Sequence, residues 1–97
     1  MNIELKKFGT TLISRQAGKE ALAAFQPSLK DISEAEDIII DFDGVITFSP
    51  SWGDEFLTPF VQIYGNRSKL RNTKNPSVRT TIEILEKAND IKFNIAD

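Results

Sequence analysis

The residues whose types and spacing could do chemistry are concentrated in one stretch, Ile38 to Phe56. Asp41 and Asp43 follow directly on the apolar run Ile38, Ile39 and Ile40. Open α/β sheets keep their reactive groups just past the carboxyl ends of strands, which is where this pair would lie. The same two aspartates, with Gly44 behind them, also suit the end of a strand and a tight turn. Ser49, Pro50, Ser51, Trp52, Gly53, Asp54 and Glu55 come next. Hydroxyls ahead of an apolar helical stretch cap a helix, and Ser51 with Asp54 forms a capping-box-like pair. A hydroxyl so placed is also a phosphorylation position, where a phosphate would add about −2 charge to a surface a partner must touch. The third group is basic: Arg67, Lys69, Arg71, Lys74 and Arg79. No aromatics are interleaved with it, so it makes a poor platform for single-stranded nucleic acid. It reads as a solvated face, or as an electropositive patch for an acidic protein.

Composition narrows the chemistry further. The chain has 97 residues, 40% of them hydrophobic, and a formal charge of −2. That is one domain, spanning residues 1–97, with a single core and no overall attraction for a polyanion. Neither Cys nor His occurs. Thiolate catalysis, disulfides, imidazole bases and the usual zinc ligands are thereby excluded. An enzyme built on this chain would rely on carboxylates, hydroxyls, Lys, Arg or Tyr. No apolar run is long enough for a membrane span, and Met1 to Gly9 lacks a signal-peptide core, so a cytoplasmic protein is expected.

The elements that must position these residues follow from periodicity. Ile3 and Leu5 indicate an edge strand, and Thr11, Leu12 and Ile13 a short second strand, with a hairpin between them as the simplest pairing. Ser14 is the expected cap of a helix whose apolar face is Ala17, Ala21, Leu22, Phe25, Leu29 and Ile32. Pro27 is expected to break it near Gln26. Ser33 to Asp37 is a linker into Ile38–Ile40, which reads as a central strand buried on both faces. Beyond Ser51, the spacing of Trp52, Phe56, Phe60 and Tyr64, with Leu57 and Val61 beside them, predicts a helix packed on the sheet. Pro59 implies a kink or a fresh start capped by Thr58, and Gly65 a C-terminal cap. Ser68 to Asn72 is a further strand. Asn75 and Pro76 open a helix with Val78, Ile82, Leu85 and Ala88 on its face, ending at Asn89 and Asp90. Ile91, Phe93 and Ile95 alternate as a closing strand. Strands alternating with helices imply a mainly parallel sheet with helices packed on it.

Two resemblances bear on function. Asp41-Phe42-Asp43-Gly44-Val45 after an apolar strand looks like the nucleophile motif of haloacid-dehalogenase-type phosphatases. That likeness implies attack on phosphorus by Asp41, with Asp43 as general acid and base over Mg²⁺. The family carries its motif in the first strand and needs a later acidic pair at a strand end. Here 40 residues precede the motif, and Asp54 and Glu55 fall inside a predicted helix. More of the chain, most of residues 8 to 86, resembles the STAS fold of anti-sigma factor antagonists, and more closely a STAS-like family of bacterial domains. The likeness is carried by residues 9–18 (GTTLISRQAG), 38–56 (IIIDFDGVITFSPSWGDEF) and 72–85 (NTKNPSVRTTIEIL). Its most specific part is Ser49 to Phe56, and Arg15 and Gly18 fit the family's Ser-Arg-x-x-Gly step.

The STAS resemblance implies a four- to five-stranded mixed sheet with helices mostly on one face. It also implies a non-enzymatic regulatory module that works by protein–protein contact, needing neither cofactor nor metal. The partner class is a histidine-kinase-like ATPase or anti-sigma factor. The contact surface is expected at Gly44, Ser49, Ser51, Trp52, Asp54 and Glu55. The serine that antagonists have phosphorylated aligns with Pro50, which leaves Ser51, then Ser49, as candidate phosphoacceptors. Neither nucleic acid nor membrane is expected as a partner, and the chain is expected to be a monomer or weak dimer. The alternative is a small Mg²⁺-dependent phosphatase-like enzyme using Asp41 and Asp43.

Overall fold

Parallel strands that follow one another across a sheet in chain order must be joined by crossovers, and right-handed crossovers then all leave by the same face. A computed structural model describing all 97 residues has parallel strands in chain order. Strands β1 (Asn2–Glu4), β3 (Ile38–Asp41), β5 (Ser68–Arg71) and β6 (Asn94–Ile95) lie side by side in that order, every pair parallel. Helices α1 (Arg15–Leu29), α2 (Pro50–Tyr64) and α3 (Pro76–Asn89) supply the three crossovers. No helix is long and apolar enough to cross a membrane.

The side-chain pattern agrees with helices on one face only. Ile3, Ile38, Ile40 and Leu70 point into the core and are fully buried, while Asn2, Glu4, Arg71 and Asn94 are exposed. Ile39, the middle of the isoleucine run, is only half-buried. The expectation of a strand buried on both faces is therefore corrected. A parallel sheet with one open face needs polar residues there, and β1, β5 and β6 provide them.

The mixed sheet and the hairpin are corrected as well. Strand β1 pairs with β3, and β2 (Thr11–Leu12) pairs in parallel with β4 (Thr47–Phe48), forming a second, two-stranded sheet. Both chains of this ladder break at the same level and resume. Between β1 and β2 lies a 3₁₀ turn over Leu5–Phe8, and between β3 and β4 the turn around Asp43 and Gly44. The first break is one residue longer than the second, since Glu4 pairs with Asp41 and Thr11 with Thr47. The interruption carries the starts of α1 and α2 beyond the main sheet.

Neither internal proline ends its helix. α1 runs through Pro27 and α2 through Pro59. A proline removes one backbone donor, but residues beyond it hold the helix by packing: Leu29 past Pro27, and Phe60 past Pro59, are buried. On α1 the inward residues are Gly18, Ala21 and Leu29, with Leu22 and Phe25 half-buried; Ala17, expected on that face, is exposed. Gly65, at φ +57°, closes α2 as its spacing suggested.

The core is a single cluster of 19 buried residues. An aromatic column runs through it along α2. Trp52 stacks on Phe56 at 5.0 Å between ring centres, Phe56 on Phe60 at 6.1 Å, and Phe60 meets Tyr64 at 4.8 Å. Phe48 of β4 meets Trp52 edge-on at 5.9 Å. The four-residue spacing of that stripe was a core signal.

Candidate functional site

Parallel pairing of β2 with β4 sets the first turns of α1 and α2 side by side. Each helix is capped by the serine before it. Ser14 Oγ accepts the N–H of Ala17 at 3.0 Å. Ser49 Oγ accepts the N–H of Trp52 at 3.3 Å and donates to the carbonyl of Ile13 at 2.7 Å. Ser49 thus caps α2 and ties it to the end of β2 with one hydroxyl. The capping role expected of Ser51 belongs to Ser49, with Pro50 at the first helical position where its missing N–H is harmless. Ser51 lies in the first turn, half-exposed.

Arg15 opens α1, and its Nη1 reaches Asp54 at 3.2 Å and Glu55 at 3.1 Å. The bonds to Glu55 and then Asp54 hold the guanidinium more firmly protonated than usual. These side chains are 29–55% exposed, so solvent screens each pair and its contribution to stability is small. The role of the fork is positional: it fixes two carboxylates on the surface beside Ser51. Asp54 is also approached from α3 by Asn89 Nδ2 at 3.4 Å. Trp52, one of the expected contact residues, is buried at 1% exposure, so it shapes this surface from beneath.

Gly44 lies at the other end of β4 from Ser49. It is exposed, has φ +84°, and faces the aliphatic stem of Lys6. Strand β4 is held from the α3 side: Ser77 Oγ accepts the N–H of Phe48 at 3.0 Å, while Ser77 and Thr81 hydroxyls donate to its carbonyl. Asn75 caps α3 and donates to the carbonyls of Val45 and Ile46 at 3.0 Å. The segment Asn75–Thr81 therefore fastens the far edge of β4.

Asp41 and Asp43 build the turn. Asp41 Oδ1 accepts the N–H of Asp43 at 2.9 Å and the amide of Asn72 at 2.7 Å. Asp43 faces outward, with Lys6 Nζ 3.9 Å away. No group of three or more Asp, Glu, His or Cys side chains gathers anywhere in the molecule in a way that could hold a metal ion. Asp54 and Glu55 do not join this pair; they belong to the Arg15 fork.

Of the basic run, three members are engaged within the chain. Arg67 donates to the carbonyls of Ser33 and Glu36 and lies over the Tyr64 ring; Lys69 pairs with Asp37 at 2.7 Å; Arg79 lies 3.7 Å from Asp97. Arg71 and Lys74 are exposed. Two features of the site escaped sequence reasoning. Ile13 is 52% exposed beside Ser49, and Ile46 is 65% exposed just before β4. They stand next to strands too short for alternation to reveal their faces. Arg15 carried a signal only through the Ser-Arg-x-x-Gly step.

No family model matches the chain, and neither a curated protein nor a solved structure matches it.

Proposed function

We propose that this chain is a non-enzymatic, STAS-like regulatory module that binds a protein partner through the first turn of α2. The surface comprises Ser49, Ser51, Asp54 and Glu55, with Ile13 and Arg15 beside them; the Gly44 turn stands apart, at the other end of β4. The partner class is a histidine-kinase-like ATPase or an anti-sigma factor. One observation carries the reading: Arg15 holds two carboxylates on an accessible surface, next to a half-exposed serine, without enclosing a cavity. Fixed charge on an open surface suits recognition of another protein, where it sets register and partner choice. Of the aspartates that phosphoryl chemistry would need, Asp41 holds the turn through Asn72 and the Asp43 N–H, and no further acid gathers beside the pair.

Phosphorylation of Ser51 would introduce charge beside Asp54 and Glu55, so the unmodified module is the binding form. Binding is tested with a kinase-like ATPase or anti-sigma factor encoded beside this chain. Isothermal titration should detect the wild-type complex and lose it in a folded Ser51→Asp/Glu55→Lys double variant. Full binding by that variant would move the site elsewhere. Mg²⁺-dependent hydrolysis of a generic phosphate ester that disappears in Asp41→Asn would replace the reading with an enzymatic one.

A further inference from the structure

The edge of β5 is closed by a segment held in two dissimilar ways. Strand β6 is only Asn94 and Ile95, both exposed, paired with Lys69 and Leu70. The Ala96 N–H then donates to the Leu70 carbonyl at 2.7 Å. Next, Asp97 turns its carboxylate into the bend after β5. There it accepts the N–H of Thr73 at 3.1 Å and the Thr73 hydroxyl at 2.8 Å, with Arg79 Nη2 3.7 Å away. Asn72 adopts φ +60° at this bend, and the Thr73 N–H and hydroxyl beyond it both meet the carboxylate. Thr73 is buried at 1% exposure and the Asp97 side chain is 17% exposed, so this is a built anion site with an anion in it.

At the other end of the segment Phe93 is buried, and its N–H donates to Glu86 at 2.9 Å. Between α3 and the segment a cleft of about 270 Å³ remains, with Ile82, Phe93 and Ile95 on its apolar side and Arg79, Glu83, Glu86 and Lys92 on its charged side, reaching Thr73. Ile95 stays 40% exposed and does not fill it. The site therefore combines a strand edge covered by only two paired residues, a cleft with one apolar side, and a carboxylate receptor at its end. These are the components by which a sheet edge takes an extended peptide: main-chain bonds for affinity, and alternate side chains for specificity.

We propose that the β5 edge and the Thr73–Arg79 anion site form a second interaction surface, for an extended segment of a partner protein with the pattern apolar-x-apolar-x-Asp or Glu. The chain's own Phe93–Asp97 occupies it in cis and shows the chemistry that fits. The unfilled cleft leaves room for a side chain larger than that of Ile95, which is how a partner segment gains over a tethered competitor. Such a competitor has an effective concentration in the millimolar range.

The test uses the full chain carrying Asp97→Asn, checked for folding by circular dichroism. The probe is an acetylated and amidated hexapeptide, Lys-Phe-Asn-Ile-Ala-Asp, so that its only carboxylate is the aspartate. Fluorescence anisotropy should show binding to Asp97→Asn at least tenfold tighter than to wild type, and at least tenfold weaker when the probe carries Asn in place of Asp. A probe with Phe in place of Ile should bind more tightly still. Amide exchange at Ala96 should speed up in Asp97→Asn. The proposal is overturned if that amide stays as protected as in wild type, if the folded variant shows no saturable binding, or if the Asp and Asn probes bind alike. A chain that dimerises by exchanging this segment and refuses the peptide would also overturn it, in favour of a second copy.

Discussion

The α1 backbone at Gly18 rests on the backbone of Trp52: a Cβ at position 18 would lie 2.5 Å from the Trp52 carbonyl oxygen and 3.1 Å from its Cα. This contact sets how closely α1 and α2 approach, and so how Arg15, one helical turn earlier, meets Asp54 and Glu55. Gly18→Ala replaces a poor helix former with the best one, a gain of about 1 kcal/mol. The clash is with backbone, which cannot rotate away, and overpacking of this kind costs about 1–3 kcal/mol. The expected net result is a loss of stability in urea denaturation, against helix propensity. A more stable Gly18→Ala protein would mean the two helices can part without loss.

The two faces of β3 make a paired prediction. Ile40 points into the core and Ile39 toward the open face. Ile40→Ala should cost about 2–5 kcal/mol, the usual range for a buried isoleucine. Ile39→Ala should cost clearly less, and Ile39→Asp should leave a folded protein. Thermal unfolding of the variants side by side distinguishes a one-sided sheet from one covered on both faces, since equal losses would require a second buried layer.

The caps are also separable. Ser49→Ala removes the acceptor for the Trp52 N–H and the donor to Ile13, and should cost about 0.5–2 kcal/mol. Ser51→Ala should stay within about 0.5 kcal/mol of wild type, as surface changes do. Chemical denaturation measures both. The reverse ranking would return the cap to Ser51 and start α2 later.

How much of this was legible varied with the length scale of the cause. The Ser14 cap, the Gly65 stop and the stripe from Trp52 to Tyr64 were readable because each is set within a few neighbouring residues. The α2 cap was misassigned between two serines. Ser49 wins because its own N–H is held in extended pairing by the Leu12 carbonyl at 2.9 Å, a partner distant in sequence. Pro27 and Pro59 read as breaks because the packing that carries the helices past them lies on other elements. Strands β2 and β4 have two residues each, too few for alternation to show, so neighbours in sequence suggested a hairpin while the chain pairs them elsewhere. At the candidate site, Ser49, Ser51, Asp54 and Glu55 stand together in the sequence, but their link to Arg15 spans about 40 residues and leaves no periodic trace. The Thr73–Asp97 contact is likewise invisible to any local pattern.

That contact gives the last prediction, on acid stability. Burial of Asp97 disfavours its charge, but the hydrogen bonds from the Thr73 hydroxyl and N–H and the Asn72 N–H, with the charge of Arg79, outweigh it. The carboxyl is held below its ordinary value of 3.8. Asp37 is also held low, by the hydrogen bond and charge of Lys69. A carboxyl depressed in the folded state adds stability that is fully present above its unfolded value and is lost as pH falls through the folded one. With no histidine in the chain, the melting temperature should change little between about pH 5 and pH 8 and fall below about pH 4. Asp97→Asn should be less stable than wild type at pH 6 and should flatten part of the acid decline. Asp37 pairs on an exposed surface, where solvent screens the interaction, so Asp37→Asn should flatten it less. Melting curves of the three proteins at pH 3, 4 and 6, read with amide exchange at Ala96, check the assignment. An Asp97→Asn decline parallel to that of wild type would show that the Asp97 carboxylate contributes nothing to the acid dependence.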